Sequence, residues 1–424
     1  MQIIENDKIK EKMYIEKLEN GLTTIIIPKK GVQKKYIIWG TLFGSVDNKF
    51  SINGEEFNIP DGIAHYLEHK MFEQRTGKNS LDVLSSLGVN ANAYTTNNHT
   101  AYLYDTTDNF YEALDEFMDY IQNPYYTDEN VEKERGIIEQ EIRMYEDYPE
   151  WDLYMNAMKL MYEKCPVNVD IAGTKESIAK IDKEMLYLIY NNFYTPENMA
   201  IVFVGDIDEK EILEEIKKRV NLKRNKNTVK RIVEDEPENI VEKKKITEKD
   251  ISMPIFIVAY KDKITPETNM VKREIGLRIL CNIILGTSSK LYQKLYENNL
   301  IFSEIGFDYE YARNYAHLYF QAQTINPEEV IKEIKNEIDY YIQNGVDEED
   351  FLRIKNKIYG EFVKDYNDVS TIGNLALSSY FRGINIFDYF EEFEVIDKQY
   401  IEELLKEVFK EEKKVISITN PINK

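Results

Sequence analysis

Two of the four histidines in the chain stand four residues apart, with a glutamate directly before the second, in the segment DGIAHYLEHKMFE. Positions i, i+3 and i+4 lie on one face of a helix, so a helix here would bring His65, Glu68 and His69 together. Four histidines in 424 residues give roughly 0.04 such pairs by chance, and the required glutamate lowers this about tenfold. The spacing therefore predicts a helix that presents two imidazoles to one metal ion.

The order H-x-x-E-H gives each member of the triplet a different role. His65 and His69 are predicted zinc ligands, and Glu68 is predicted to act as a general base beside them. A third protein ligand must come from another element, because a catalytic zinc keeps its fourth position open. The predicted helix in KERGIIEQEIRMYEDYPEW offers Glu134 and Glu141, which lie two turns apart on one face. Spacing alone does not choose between these two carboxylates.

The overall charge and the cysteine content exclude several classes of protein. A net charge of −22, from 54 basic and 76 acidic side chains, repels phosphates and argues against nucleic-acid binding. The first residues show no secretory signal, and no stretch approaches the ~20 apolar residues of a membrane span. The two cysteines, Cys165 and Cys281, are too few for a disulfide framework. Together these features predict a cytoplasmic protein.

The predicted strands and helices divide the chain into two halves of similar plan. The first domain is predicted to span residues 1–222 and to carry the histidine motif. A charged run over residues 223–250 is predicted to be a linker. The second domain, residues 251–424, repeats the order of elements without repeating the sequence. Strands and helices mix without strict βαβ alternation, which predicts an α+β fold of two similar domains.

Several segments resemble the pitrilysin, insulinase and mitochondrial processing peptidase superfamily, whose members carry the inverted zinc motif. The segment LENGLTTIIIP is similar to its opening strand pair, GIAHYLEHKMFE to its metal helix and EKERGIIEQEI to the helix with the third ligand. Further similar segments are LGVNANAYTTNNHTAY, DIAGT and FYTPENMAIVFVGDID. The resemblance covers nearly the whole chain. Within the superfamily, GIIEQEIRMYEDYPEW looks like the short bacterial processing peptidases of the YmfH branch, which includes bacteriocin leader peptidases.

The resemblance implies roles for the residues around the motif. His65 and His69 match the ligand histidines of one zinc ion per chain, and Glu68 matches the general base. Glu141 matches the third ligand, and Glu134 matches a catalytic-site carboxylate that supports the site from behind.

The resemblance also implies a binding surface for the peptide substrate. Asn92, Ala93, Tyr94 and Thr95 match a strand on which family members lay the substrate backbone by β-augmentation. A plain edge strand without a binding role fits the same residues equally well.

The resemblance further implies a fold and an assembly. Each domain is expected to be a mostly antiparallel sheet covered by helices on one side, and the two domains to form one half of a clamshell. Family enzymes enclose unfolded peptides, leader sequences or precursor segments between two such halves. The chain is therefore expected to be a zinc metalloendopeptidase that works as a dimer. The favoured partner is a non-catalytic paralogue, and a homodimer comes next.

One segment departs from the family pattern. Active members carry an Arg and a Tyr in a second-domain segment like SSRLFQELREKRGLAYS, where this chain has SSKLYQKLYENNLIFSE. Tyr296 and Asn298–Asn299 stand where the arginines would be, and Ile301–Phe302 where the tyrosine would be. Either Tyr309 or Arg313 substitutes for them, or a second chain supplies them. The alternative function is a scaffold subunit that is non-catalytic or only weakly active, although such members typically lose the metal motif.

Overall fold

The computed structural model describes residues 1–422. Its strands are β1 Gln2–Asn6, β2 Glu11–Lys17, β3 Thr23–Pro28, β4 Lys35–Thr41, β5 Lys49–Ile52, β6 Glu55–Asn58, β7 Asn90–Thr95, β8 Thr100–Thr106, β9 Met199–Gly205, β10 Val229–Arg231, β11 Lys244–Lys249, β12 Ile255–Lys261, β13 Gly306–Tyr311, β14 Ala316–Gln323 and β15 Lys414–Pro421. Its α-helices are α1 Ile63–Lys70, α2 Ser80–Ser86, α3 Phe110–Gln122, α4 Asp128–Glu146, α5 Pro149–Met161, α6 Lys175–Ile178, α7 Lys183–Phe193, α8 Glu209–Arg219, α9 Met270–Leu285, α10 Lys290–Glu297, α11 Pro327–Asn344, α12 Glu348–Asp365, α13 Val369–Phe381, α14 Asp388–Val395 and α15 Lys398–Val408. Within residues 1–422, no helix is both long and apolar enough to cross a lipid bilayer.

The described chain forms two compact units, and neither is continuous in sequence. Unit 1 consists of residues 1–142, 170–233 and 363–386, and unit 2 of residues 143–169 and 234–362 and the chain from 387 onward. The predicted boundaries differ from these, because helix α5 belongs to unit 2 and helix α13 to unit 1. The apolar stripe of a helix shows that it is buried, but does not show which sheet it covers.

The predicted linker, residues 223–250, also differs from what the structure shows. Strand β10 pairs antiparallel with β5 in unit 1, and strand β11 pairs parallel with β15 in unit 2. Both strands are short and rich in lysine, so their composition resembles that of a solvated linker. Their backbone hydrogen bonds nevertheless make each of them part of a sheet.

Unit 1 is built on a seven-stranded sheet in the order β1-β2-β3-β9-β4-β8-β7. Only the β3–β9 pairing is parallel, and the other neighbouring pairs are antiparallel. One face of the sheet packs on the helices of the main core through buried side chains such as Ile37, Trp39 and Phe203. The predicted mostly antiparallel α+β architecture is therefore confirmed for this unit.

Helix α13 covers the other face of the same sheet, so helices lie on both of its sides. It packs against β9 and β4, and a Cβ atom on its Gly373 would stand 2.4 Å from the ring of Tyr36. Every residue of β9 is buried, as expected for a strand covered on both faces.

Unit 2 is built on a five-stranded sheet in the order β11-β15-β12-β14-β13. Only its β11–β15 pairing is parallel. Helix α5 packs against β15, β12 and β11, and helix α9 is buried along most of its length beside α14 and α15. Like unit 1, this unit is a mostly antiparallel sheet with helices, and the prediction of two domains of similar plan is confirmed.

Candidate active site

The start of the motif helix is fixed by a close backbone contact. Gly62 precedes α1 with a φ of 91°, and a Cβ atom at this position would stand 2.4 Å from the carbonyl oxygen of Ala172. Both the left-handed conformation and this contact require glycine. Ser177 also donates a hydrogen bond to the carbonyl of Asp61 at 2.8 Å. The DIAGT segment thus determines where the helix begins.

The helix turns its apolar residues into the core of unit 1 and its motif residues toward α4. Tyr66 and Leu67 are fully buried in the core. The rings of His65 and His69 lie side by side, with centroids 4.6 Å apart. The motif residues therefore lie on one face of the helix, as the spacing predicts.

Three of the predicted residues offer donor atoms around one point. Single ligand atoms of His65, His69 and Glu141 all lie within 4.8 Å of one another. Nε2 of His65 is 3.6 Å from Oε1 of Glu141, and Nε2 of His69 is 3.4 Å from Oε2. Donor atoms around a tetrahedral zinc are separated by roughly 3.4 Å, as its bond lengths require. This donor set therefore fits a zinc ion.

Glu134, the other candidate carboxylate on helix α4, contacts the opposite side of His69. Oε1 of Glu134 lies 3.1 Å from Nδ1 of His69. When Nε2 of a histidine binds a metal, Nδ1 carries the proton and donates it to such an acceptor. Glu134 and Glu141 thus contact the two ring nitrogens of one imidazole.

Glu68 is buried beside this group, with 8% of its surface exposed. Its Oε2 accepts a hydrogen bond of 2.6 Å from the hydroxyl of Thr95. Burial raises the pKa of Glu68 above its ordinary value, and the Thr95 hydroxyl and the charge of His69 partly oppose this rise. A carboxylate with a raised pKa that is held by one hydrogen bond is suited to accept and return a proton.

Burial and the nearby carboxylates shift the pKa values of the two imidazoles. Burial, followed by the neighbouring charge of His69, lowers the pKa of His65. Burial also disfavours the charged form of His69, but hydrogen bonds to Glu134 and Glu141 raise its pKa. The environment therefore favours a cation at His69 and Glu141, either a proton or a metal ion.

The predicted substrate strand coincides with β7, which lies at the edge of the seven-stranded sheet. Successive side chains of a strand point to opposite faces of the sheet. Asn92 and Tyr94 therefore lie on one face, and Ala93 and Thr95 on the other. The hydroxyl of Tyr94 donates to Asn374 on α13, whereas Thr95 reaches Glu68. The four predicted residues therefore lie together on one strand, and Thr95 joins it to the motif through the hydrogen bond to Glu68.

Unit 2 contains the segment that departs from the family pattern. Tyr296 and Phe302 are exposed, and Ile301 is buried. Tyr309, one of the two predicted substitutes, is buried and donates a 2.7 Å hydrogen bond to Asp262. Its hydroxyl is therefore already engaged inside unit 2, which disfavours it as a replacement for the tyrosine of the family.

Sequence reasoning missed the functional contact of one further residue, Lys70. This lysine ends α1, and its side chain is fully buried between Glu73 and Glu134. A lysine at the last position of a helix normally indicates a solvated C-terminus. A sequence signal was nevertheless present, because Lys70 directly follows the motif and has a glutamate three residues on.

Comparisons with known proteins place the chain in a family. Two family models match the chain, Insulinase (Peptidase family M16) over residues 55–175 and Peptidase M16 inactive domain over residues 180–358. The uncharacterized zinc protease YmfH of Bacillus subtilis is 35% identical over 410 residues, which make up 95% of each chain.

Solved structures show the same fold. An M16-like peptidase from Alicyclobacillus acidocaldarius superposes with a TM-score of 0.94 at 28% identity, over 99% of this chain and 100% of that one. The periplasmic protease PqqL of Escherichia coli shares the fold at 18% identity with a TM-score of 0.76, and all of this chain matches 48% of that one. With YmfH matched over 95% of both sequences, the chain belongs to the insulinase family of zinc peptidases, peptidase family M16.

Proposed function

We propose that this chain is a zinc endopeptidase that hydrolyses unfolded peptides or leader and precursor segments. The observation that carries the proposal is the convergence of His65, His69 and Glu141 within 4.8 Å, with buried Glu68 beside them. Three protein ligands leave one position of a tetrahedral zinc open, as in catalytic sites. We assign one zinc ion to each chain.

Bound zinc supplies a Lewis acid that polarises the scissile carbonyl and brings the pKa of water toward about 7. Glu68 takes the proton from the attacking water and later delivers it to the leaving amine. The hydroxyl of Thr95 orients the Glu68 carboxylate through the 2.6 Å hydrogen bond to Oε2. Glu134 fixes the ring of His69 from its Nδ1 side.

The substrate backbone is proposed to bind along β7. This strand is at the edge of its sheet, so the outward N–H and C=O groups of Asn92 to Thr95 can pair with an extended peptide. Thr95 contacts Glu68, so a peptide paired with this strand would run beside the general base. Such pairing needs an unfolded segment, which is why the proposed substrates are unfolded.

The active enzyme is proposed to be a dimer, with the substrate in a chamber closed by the second chain. Two observations support this proposal. The chain matches about half of PqqL, and the usual arginine and tyrosine have no counterpart at Tyr296 to Phe302. The favoured partner is a non-catalytic paralogue that supplies both residues, and a homodimer is the second candidate.

A scaffold subunit that is non-catalytic or only weakly active is the competing function, because a chain without the arginine and tyrosine lacks part of the usual catalytic machinery. The metal content of the purified protein separates the two functions. A scaffold would retain no zinc under non-chelating conditions, whereas a peptidase would hold one ion per chain.

Removing the metal is expected to abolish peptide cleavage reversibly. The chain, alone and coexpressed with a paralogue that lacks the histidine motif, would be incubated with a mixture of internally quenched unstructured peptides. Cleavage should stop after treatment with 1,10-phenanthroline and return when zinc is added, because the Lewis acid is lost and restored. Zinc-loaded protein that cleaves no peptide in either form would contradict the peptidase function.

Replacing Thr95 with Val should lower kcat about tenfold and leave KM nearly unchanged. Valine keeps the shape of threonine but removes the hydroxyl that orients Glu68, and lost partners of this kind typically cost 10–100-fold. The backbone of β7, which is proposed to bind substrate, remains intact.

The matched control is Thr95→Ser, which keeps the hydroxyl and should restore kcat. Steady-state kinetics on one cleaved peptide, with zinc content measured in parallel, check this prediction. An unchanged kcat for Thr95→Val, or an effect on KM alone, would show that the hydrogen bond has no catalytic role.

A further inference from the structure

A fully buried lysine lies directly behind the proposed zinc site. The side chain of Lys70 is 0% exposed, and its Nζ is 2.5 Å from Oε2 of Glu73. The same Nζ is 3.9 Å from Oε2 of Glu134. Removing an ammonium group from water is unfavourable unless nearby carboxylates compensate for the lost hydration. The buried ammonium group of Lys70 therefore depends on the carboxylates of Glu73 and Glu134 for compensation.

Glu134 joins this lysine to one of the proposed ligands. Its Oε2 faces Lys70, and its Oε1 lies 3.1 Å from Nδ1 of His69. The opposite nitrogen of that ring, Nε2, is 3.4 Å from Glu141. A continuous series of polar contacts therefore runs from Lys70 through Glu134 to the metal-facing nitrogen of His69.

This series matters because a ligating imidazole depends on the acceptor at its other nitrogen. A carboxylate that accepts the Nδ1 proton fixes both the tautomer and the orientation of the ring. Glu134 can do this only while it is charged and held in one position, and only 15% of its side chain is exposed. The Lys70 ammonium lies 3.9 Å away on its far side and provides a counter-charge that attracts the carboxylate.

We propose that Lys70 is a positioning residue for the zinc site, which holds the Glu134 carboxylate against Nδ1 of His69. The lysine touches neither the metal nor the substrate and acts only through Glu134. The inference rests on the zinc binding of the proposed function, but it does not depend on hydrolysis. Lys175, which is more than half exposed and lies 3.8 Å from Glu139 on helix α4, provides a matched lysine control.

The test is a double-mutant cycle read out as zinc affinity. Zinc dissociation constants would be measured by competition with a chromophoric chelator for wild type, Lys70→Met, Glu134→Gln and the double variant. Lys70→Met should weaken zinc binding about tenfold or more. In the Glu134→Gln background the same change should cost no more than about twofold, because the group through which Lys70 acts is already neutral. Lys175→Met should stay within about twofold of wild type.

Each result supports or overturns the proposal. A loss of similar size in both backgrounds would show that Lys70 does not act through Glu134, and a loss below about twofold in the wild-type background would show no role at all. Melting temperatures of the metal-free proteins are measured alongside, and Lys70→Gln replaces Lys70→Met if the latter does not fold. If neither variant folds, Lys70 serves the fold and the proposal is wrong. A wild-type protein that binds no zinc would overturn the proposed function as well, whereas failure of the cycle alone would overturn only the role of Lys70.

Discussion

Replacing Glu68 with Gln is expected to lower the rate of peptide hydrolysis about a thousandfold while zinc stays bound. Glutamine has nearly the same shape as glutamate, and its amide oxygen can still accept the hydrogen bond from Thr95. It cannot take a proton from water at neutral pH, however, so the general base is lost. His65, His69 and Glu141 are unchanged, and the zinc affinity should therefore remain close to that of wild type.

The matched control is a second Glu→Gln change on α4, the helix that carries the proposed third ligand. Glu139 lies on α4 and is 3.8 Å from Lys175, on a different face from Glu134 and Glu141. Glu139→Gln should keep both activity and zinc. Initial rates on one cleaved peptide and zinc content by elemental analysis decide the matter. The assigned role of Glu68 is wrong if Glu68→Gln cleaves at the wild-type rate, or if it loses activity only because zinc is lost.

The convergence of the motif side chains could be predicted because its geometry is local. His65, Glu68 and His69 lie within two turns of one helix, so the pitch of the helix alone brings them together. The spacing of Glu134 and Glu141 was equally informative, although it did not distinguish them. The structure explains why, since both carboxylates contact His69, one at each ring nitrogen.

The side-chain contacts that sequence reasoning missed join elements that are distant in sequence. Thr95 lies 27 residues from Glu68, and its strand fits a plain sheet edge as well as a binding role. Lys70 is buried beside Glu73 and Glu134. The glutamate three residues after Lys70 was a signal for the first of these partners, but the sequence gives no sign of burial against α4. Tertiary packing decides both contacts, and neither helical nor strand periodicity carries information about it.

The predicted domain boundaries differ from those of the two units for a related reason. Helices α5 and α13 each belong to the unit built mainly from the other half of the sequence. The apolar residues of each helix correctly predict that the helix is buried, but they do not show which of the two sheets it packs against. The composition of the charged segment after residue 222 predicts a linker. One of its residues, Glu236, is nevertheless paired with a buried lysine of unit 2.

That lysine, Lys261, ends β12 and is 6% exposed. Its ammonium donates to Glu236 at 2.6 Å. It also donates to the backbone carbonyls of Met161 and Pro237 at 2.9 and 2.7 Å. Glu236 in turn accepts hydrogen bonds from the backbone N–H groups of residues 163, 164 and 165. Although burial disfavours the charged form of Glu236, Lys261 and these N–H groups lower its pKa. The pair therefore joins three stretches of chain within unit 2.

Lys261→Met is accordingly expected to lower the free energy of unfolding of unit 2 by about 3 kcal/mol, because removing one partner leaves a buried carboxylate without its counter-ion. Methionine fills much of the same volume, so the loss would be mainly electrostatic. Lys263→Met is the matched control, since Lys263 and its partner Glu238 are both more than half exposed and surface pairs contribute little. Urea unfolding followed by circular dichroism, with hydrogen exchange at the amides of residues 163–165, provides the measurement. Equal stabilities for the two variants would mean that the segment before β11 is held by the backbone hydrogen bonds of Val241 and Glu242 to Leu160 and not by Lys261.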